Sequence, residues 1–143
     1  MARVRIMAAL ALLAACVPVG PPGAALSFIE VSSGGAFSGS DLIRVYPDDR
    51  IEVQRSGPFG KESTDRTSQG RPGVFDAVRA VFLAEGPGVA GRQQPSDGAC
   101  PDYGSDAVRA EPPIGGFAGV SAQCPDPEVQ AFQRRLRDVI AGR

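Results

Sequence analysis

The chain of 143 residues has no His and no Trp, and Lys61 is its only lysine. Lacking His, it cannot assemble a Ser-His-Asp or Cys-His nucleophile, and it loses the commonest general base and metal ligand. Cys100 and Cys124, the two cysteines of the folded domain, would leave half the ligands of a His/Cys tetrahedral zinc site missing. Charge of either sign is not in excess: 15 Lys and Arg stand against 16 Asp and Glu, a net charge of −1. Nucleic-acid binding, which needs a basic footprint, is therefore not expected. Aromatic residues make up 6% of the chain, too few for a sugar-stacking groove to be a natural reading. No apolar run approaches the roughly 20 residues that a membrane-spanning helix requires. What remains is ordinary globular material, 43% hydrophobic and 22% charged, enough for one domain.

The N-terminus has a distinct organisation. Arg3 and Arg5 precede an apolar run from Ile6 to Leu13, the basic start and short apolar core of a secretory signal peptide. Pro18, Pro21 and Pro22 stop any helix that would continue from it. The run ends in Leu13-Ala14-Ala15-Cys16, which resembles the lipobox of bacterial lipoproteins. The resemblance covers the signal region alone. It implies cleavage before Cys16, diacylglyceryl transfer to the Cys16 sulfur and acylation of the new N-terminus, palmitate among the chains. Two or more acyl chains hold a protein stably on a bilayer, whereas one does so only marginally. Val17, rather than Asp, after the cysteine resembles the outer-membrane class. The competing cleavage, after Gly23-Ala24-Ala25, would release a soluble periplasmic or secreted chain. The expected division is a signal peptide over 1–15, a Pro/Gly-rich tether over 16–25 and one domain over 26–143.

Within that domain, Ser27–Ser32 reads as a strand ending at Gly34-Gly35. Leu42–Tyr46 and Ile51–Arg55, joined by Pro47-Asp48-Asp49-Arg50, read as a β-hairpin. Ser56–Pro72 shows no periodicity and is expected to be a long loop. Phe75, Val78 and Phe82, flanked by Val74 and Val81, mark an amphipathic helix that should stop at Gly86-Pro87, with a second loop over Gly88–Gly98. Ala107–Glu111 and Phe117–Ser121 are weaker strands. The last helix is well signalled: Asp126 as cap, Pro127 in the first turn, and an apolar face of Val129, Phe132, Leu136, Val139 and Ile140, with Gly142 at the stop. Gln133, Arg134, Arg135 and Arg137 are expected on its other faces. The order of elements predicts an α+β fold, a small antiparallel sheet with both helices packed on one face.

Cys100 and Cys124 form an even pair after export to an oxidising compartment, so a structural disulfide is expected. Closing that loop is worth about 3.5 kcal/mol by chain entropy. Other constellations fail in turn. Gly60-Lys61 lacks the first glycine and the hydroxyl residue of a phosphate-binding loop. Lys61 in a polar loop lacks the burial that a Ser–Lys dyad needs. Asp48-Asp49 suit a turn better than acid/base work. Asp97, Asp102 and Asp106 are weak calcium candidates without EF-hand spacing. No cofactor is implied.

Three functional expectations follow. The first is a small non-enzymatic protein of the bacterial envelope, held on the outer membrane by lipid at Cys16, its domain in the periplasm, binding an envelope partner or serving a structural role. The second is a secreted or periplasmic enzyme inhibitor that inserts a rigid loop. The third is a carboxylate-based hydrolase of envelope polysaccharide, which needs two carboxyls about 5–10 Å apart.

Overall fold

The computed structural model describes residues 27–35, 37–93, 100 and 103–143. The expected signal peptide, Cys16 and the tether lie outside the described residues, as do Asp97 and Asp102.

The chain folds as predicted into an α+β domain. β1 (Phe28–Gly35), β2 (Gly39–Val45), β3 (Arg50–Ser56) and β4 (Thr64–Gln69) form an antiparallel meander. Helix α1 (Val74–Arg92) then crosses the sheet, and β5 (Ser105–Ile114) pairs antiparallel with the free side of β1. β6 (Phe117–Ala122) completes a six-stranded sheet in the order β4-β3-β2-β1-β5-β6, and α2 (Pro127–Ala141) closes the domain.

Alternation along the central strands sends Ile29, Val31, Val45, Val108, Ala110, Val120 and Ala122 to the helix side, where they are buried. From above, Val74, Val78, Phe82 and Val89 of α1 and Val129, Phe132 and Leu136 of α2 complete one core. The helices pack mainly against each other and over β1, β5 and β6. Among the described residues, the opposite sheet face carries no helix.

The β2–β3 hairpin is present where expected. Its turn is closed by Tyr46 N donating to Arg50 O and Asp49 N to Tyr46 O, both at 2.9 Å, with Asp49 at φ 61°. α2 also begins and ends as read. Asp126 Oδ1 accepts from the backbone N–H groups of Glu128 and Val129 at 2.9 and 3.1 Å, Pro127 opens the helix, and Gly142 ends it at φ 76°.

Three expectations need correction. Ser56–Pro72 is not a loop throughout: after a 3-10 turn at Pro58–Gly60, Thr64–Gln69 is the edge strand β4. Every residue of β4 is exposed, so neither face imposes an apolar alternation, and only backbone pairing to β3 defines it. Second, α1 does not stop at Gly86-Pro87 but runs to Arg92 with Pro87 inside it. Proline there forfeits one helical hydrogen bond. The continuing turns nonetheless bury Val89, and Gly86 lies against the Phe117 ring, which packs on Phe82 at 4.9 Å between centroids. Third, Gln133 is buried, not on an outer face. Its Nε2 donates to the carbonyls of Ser32 and Ala107 at 2.7 and 3.2 Å, fixing α2 over the β1–β5 seam.

Candidate functional site

The bare sheet face is the first surface to consider. Glu30, Arg44 and Glu52 are cross-strand neighbours on β1, β2 and β3, and Arg109 on β5 flanks Glu30 from the other side. The result is a row of alternating charge across four strands. Glu30 is buried, its side chain only 4% exposed, yet it is fully compensated. Arg44 Nε reaches Glu30 Oε2 at 2.8 Å, and Arg109 Nε reaches Oε1 at 2.8 Å. Burying a carboxylate is tolerable only with such pairing.

The row beside it is aromatic. The Arg44 guanidinium lies 4.9 Å from the Phe28 ring centroid, and that of Arg50 lies 3.9 Å from the Tyr46 ring. Tyr46 OH donates to Glu52 Oε2 at 2.5 Å while Arg50 Nη1 holds Glu52 Oε1 at 2.6 Å. Burial, and then the hydrogen bond to Glu52, push the Tyr46 phenol above its usual range. Burial alone would lower the Arg44 guanidinium, but Glu30 and then Tyr46 outweigh it, and the group is raised. Glu30, Arg44, Arg50, Glu52 and Arg109 are thus each engaged by a neighbour on this face.

The second place is the corner where the disulfide lies. Cys100 and Cys124 are bonded, with Cα atoms 5.2 Å apart, tying the approach to β5 to the exit from β6. Asp106 is buried at this corner. Tyr103 OH donates to Asp106 Oδ2, and Gln130 Nε2 donates to Tyr103 Oη at 2.8 Å and to Asp106 Oδ2 at 3.3 Å. The Tyr103 phenol is accordingly raised, by burial first and by Asp106 next. Of the three calcium candidates, then, the one described residue is engaged by tyrosine and glutamine. A cleft of about 1090 Å³ opens beside it, between the end of α1, the end of β6 and the start of α2. Across it Arg92 grips Glu128 through Nε and Nη2 at 3.1 and 2.9 Å. Residues 94–99, which adjoin this cleft in sequence, lie outside the described set.

The third place is the end of the sheet where β1 turns into β2 and β3 runs into the 3-10 turn. Phe37 and Phe59 meet there edge to face, centroids 5.2 Å apart, and are 57% and 65% exposed. Phe59 sits in the left-handed region at φ 57°, ψ 29°. Such a backbone costs a bulky residue on the order of 1–2 kcal/mol. The turn is nevertheless tied down: Gly57 N donates to Lys61 O at 2.7 Å and Lys61 N to Pro58 O at 3.3 Å. Lys61, the lone lysine, closes this turn and is exposed.

A further pair of interactions braces the domain. Asp41 on β2 receives Arg137 of α2 and, at 2.9 Å, Arg55 of β3. Burial alone would raise the Asp41 carboxyl, but the two arginines outweigh it and hold it below the usual range. Asp49, read as a turn residue, also caps α1 from a distance. Its Oδ1 accepts from Phe75 N at 2.9 Å and its Oδ2 from Gly73 N at 2.7 Å, which lowers its carboxyl.

Every buried or half-buried carboxylate among the described residues is therefore committed. Glu30 and Asp41 each hold two arginines; Glu52 holds an arginine and Tyr46; Glu85 holds Arg135; Asp49 and Asp126 cap helices; Asp106 holds Tyr103 and Gln130. The charge row and the Phe37–Phe59 contact escape a reading of the sequence, because both depend on which strands become neighbours. Alternation of Glu30, Arg44 and Glu52 with apolar residues is the one signal that places them on a common outer face. No protein-family model matches the chain, and no curated protein matches it.

Proposed function

We propose that the chain is a small non-enzymatic protein of the bacterial envelope, anchored by lipid at Cys16, whose α+β domain does binding or structural work in the periplasm. The observation that carries the non-enzymatic reading is the commitment of every buried or half-buried carboxylate described above. With no histidine in the chain and Cys100 and Cys124 joined, no imidazole and no free thiol among the described residues is left to act as base or nucleophile. The anchor is supported by Leu13-Ala14-Ala15-Cys16 and the Pro/Gly-rich stretch after it. The inhibitor reading is weakened where β4 takes up Thr64–Gln69 of the segment that would supply a long inserting loop.

Intact mass of the protein from the membrane fraction tests the proposal, with Cys16→Ala alongside. The expected result is a chain beginning at Cys16 that carries acyl mass, both features lost in the variant. An unmodified chain beginning near Leu26 in the soluble fraction would overturn the anchor and favour a free periplasmic or secreted protein.

A further inference from the structure

The Phe37–Phe59 tip is the one place where the described chain displays large apolar side chains to solvent. Two separate loops contribute one ring each, and the rings contact each other instead of folding back onto the core. The backbone does not hide Phe59 either. A left-handed turn, held by the Gly57–Lys61 hydrogen bond, presents it outward. Pro58, Gly60, Lys61 and Glu62 around it are exposed as well, so the tip is apolar with one ammonium and one carboxylate adjoining it. Strain accepted at a rigid, exposed aromatic points to use of that aromatic.

We infer that this tip is a bilayer contact, in which the Phe37 and Phe59 rings enter the boundary between headgroups and acyl chains. Area decides against a protein occupant. Two rings little more than half exposed offer on the order of 200–300 Å², whereas a stable protein interface takes about 800 Å² from each partner. A second copy of the chain docking tip to tip meets the same shortfall. A lipid surface requires no matching pocket, and it sums weak apolar contacts with any other hold the protein has.

The position of the tip fits that role. The chain enters β1 at Phe28, and the tip lies at the other end of the same strand, about 27 Å away at the usual rise. The eleven residues 16–26, extended, reach about 37 Å. A domain tethered at Cys16 thus has slack to lie along the bilayer and touch it with its far end. The two-point hold rests on the proposed anchor; insertion of the rings does not.

Because the chain has no tryptophan, Phe59→Trp makes a protein with one reporter, an indole placed at the tip. The full chain from the membrane fraction is reconstituted into vesicles of phosphatidylethanolamine and phosphatidylglycerol, with and without brominated acyl chains. Emission from the tip indole is expected to shift to the blue and to fall at least twofold with brominated lipid. Thr67→Trp, made separately on the exposed edge strand β4, is expected to change little. A tip indole with exposed-type emission and no quenching would overturn the inference. A blue shift without quenching would also overturn it, because the indole is then sheltered away from the acyl chains, and a blue shift appearing only when envelope proteins are added would overturn it in favour of a protein partner. Equal quenching at both positions would overturn it too, showing unspecific adsorption. Flotation with the vesicles reads the anchor separately. A chain that floats with its tip indole unquenched keeps the anchor and refutes the tip. A chain that carries Cys16→Ala beside Phe59→Trp and floats poorly, yet is quenched at high lipid excess, keeps the tip without the anchor.

Discussion

Glu30 sits at the centre of the sheet with almost no solvent exposure, and its stability depends on two arginines that keep 31% and 51% of their own side chains exposed. Removing the carboxylate leaves those arginines able to hydrate, so the penalty is smaller than for stranding a charge in a closed core. Glu30→Ala is expected to lower stability by about 1–3 kcal/mol, read as a shift of the urea midpoint at unchanged slope. No shift would mean that the row of charges is only decoration. Asp49 acts at the same scale through pH. Its carboxyl is lowered chiefly by the N–H groups of Phe75 and Gly73 at the start of α1. A group lowered on folding contributes stability that is complete above its unfolded value, near pH 4, and is lost as pH falls through its folded value. Asp41 behaves alike, since Arg137 and Arg55 outweigh its burial. The stability difference between the native chain and Asp49→Asn is therefore expected at pH 7 and should shrink below about pH 4. A difference that stays constant from neutral to acid pH would remove the remote cap as its cause. The tyrosines mark the alkaline side. Tyr46 and Tyr103 are both raised, first by burial, so their contribution is present below about pH 10 and fades above it as the unfolded chain ionises.

Among the elements, α1 shows how packing overrides local preference. Gly86 and Pro87 would end a helix judged by its own residues, but the buried side of α1 continues past them to Val89. A side chain at Gly86 would place its Cβ 2.3 Å from the Phe117 ring. Gly86→Ala, which in an open helix gains up to about 1 kcal/mol, is here expected to cost a net 1–2 kcal/mol, roughly, because the ring must move off Phe82. Thermal unfolding of the variant checks this, and a raised midpoint would show that the Phe117 ring yields freely. The same contrast explains what could be read in advance. The ends of α2 were legible because Asp126, Pro127 and Gly142 act within one turn of themselves. The β2–β3 hairpin was legible because its turn residues and its alternation are adjacent in sequence. β4 was not, since an edge strand exposed on both sides has no apolar period, and its Asp65 and Arg66 guard the edge against pairing with another chain. Gln133, Glu30 and the Phe37–Phe59 contact were hidden for one shared reason: each is defined by a partner 14 or more residues away along the chain. Pattern reading finds faces, not the neighbours that faces acquire.

At the scale of the whole molecule, the helices cover β1, β5 and β6 more fully than the β3–β4 edge, so the hydrophobic core is concentrated in one half of the sheet. That half is also where the chain is crossed by its one described covalent tie. Cys100 and Cys124 are 24 residues apart and enclose all of β5 and β6, the strands that form the floor beneath α1 and α2. Without the bond, this segment returns to the unfolded ensemble with its full loop freedom, and the core loses the constraint that brings β6 back beside α2. The chain-entropy estimate for such a loop is about 3.5 kcal/mol, which for a domain of this size corresponds to a melting temperature lower by roughly 10–20 °C. Reduction of the native chain and the double substitution Cys100→Ser, Cys124→Ser should give the same fall. The oxidised protein should be two hydrogens lighter by mass than its reduced form. Two free thiols in the native protein, or a melting temperature indifferent to reductant, would mean that the bridge does not hold the floor of the core. If reduction instead melts the β5–β6 corner alone, hydrogen exchange will rise there while β2 and β3 stay protected, and the lightly covered half of the sheet will have proved the more independent one.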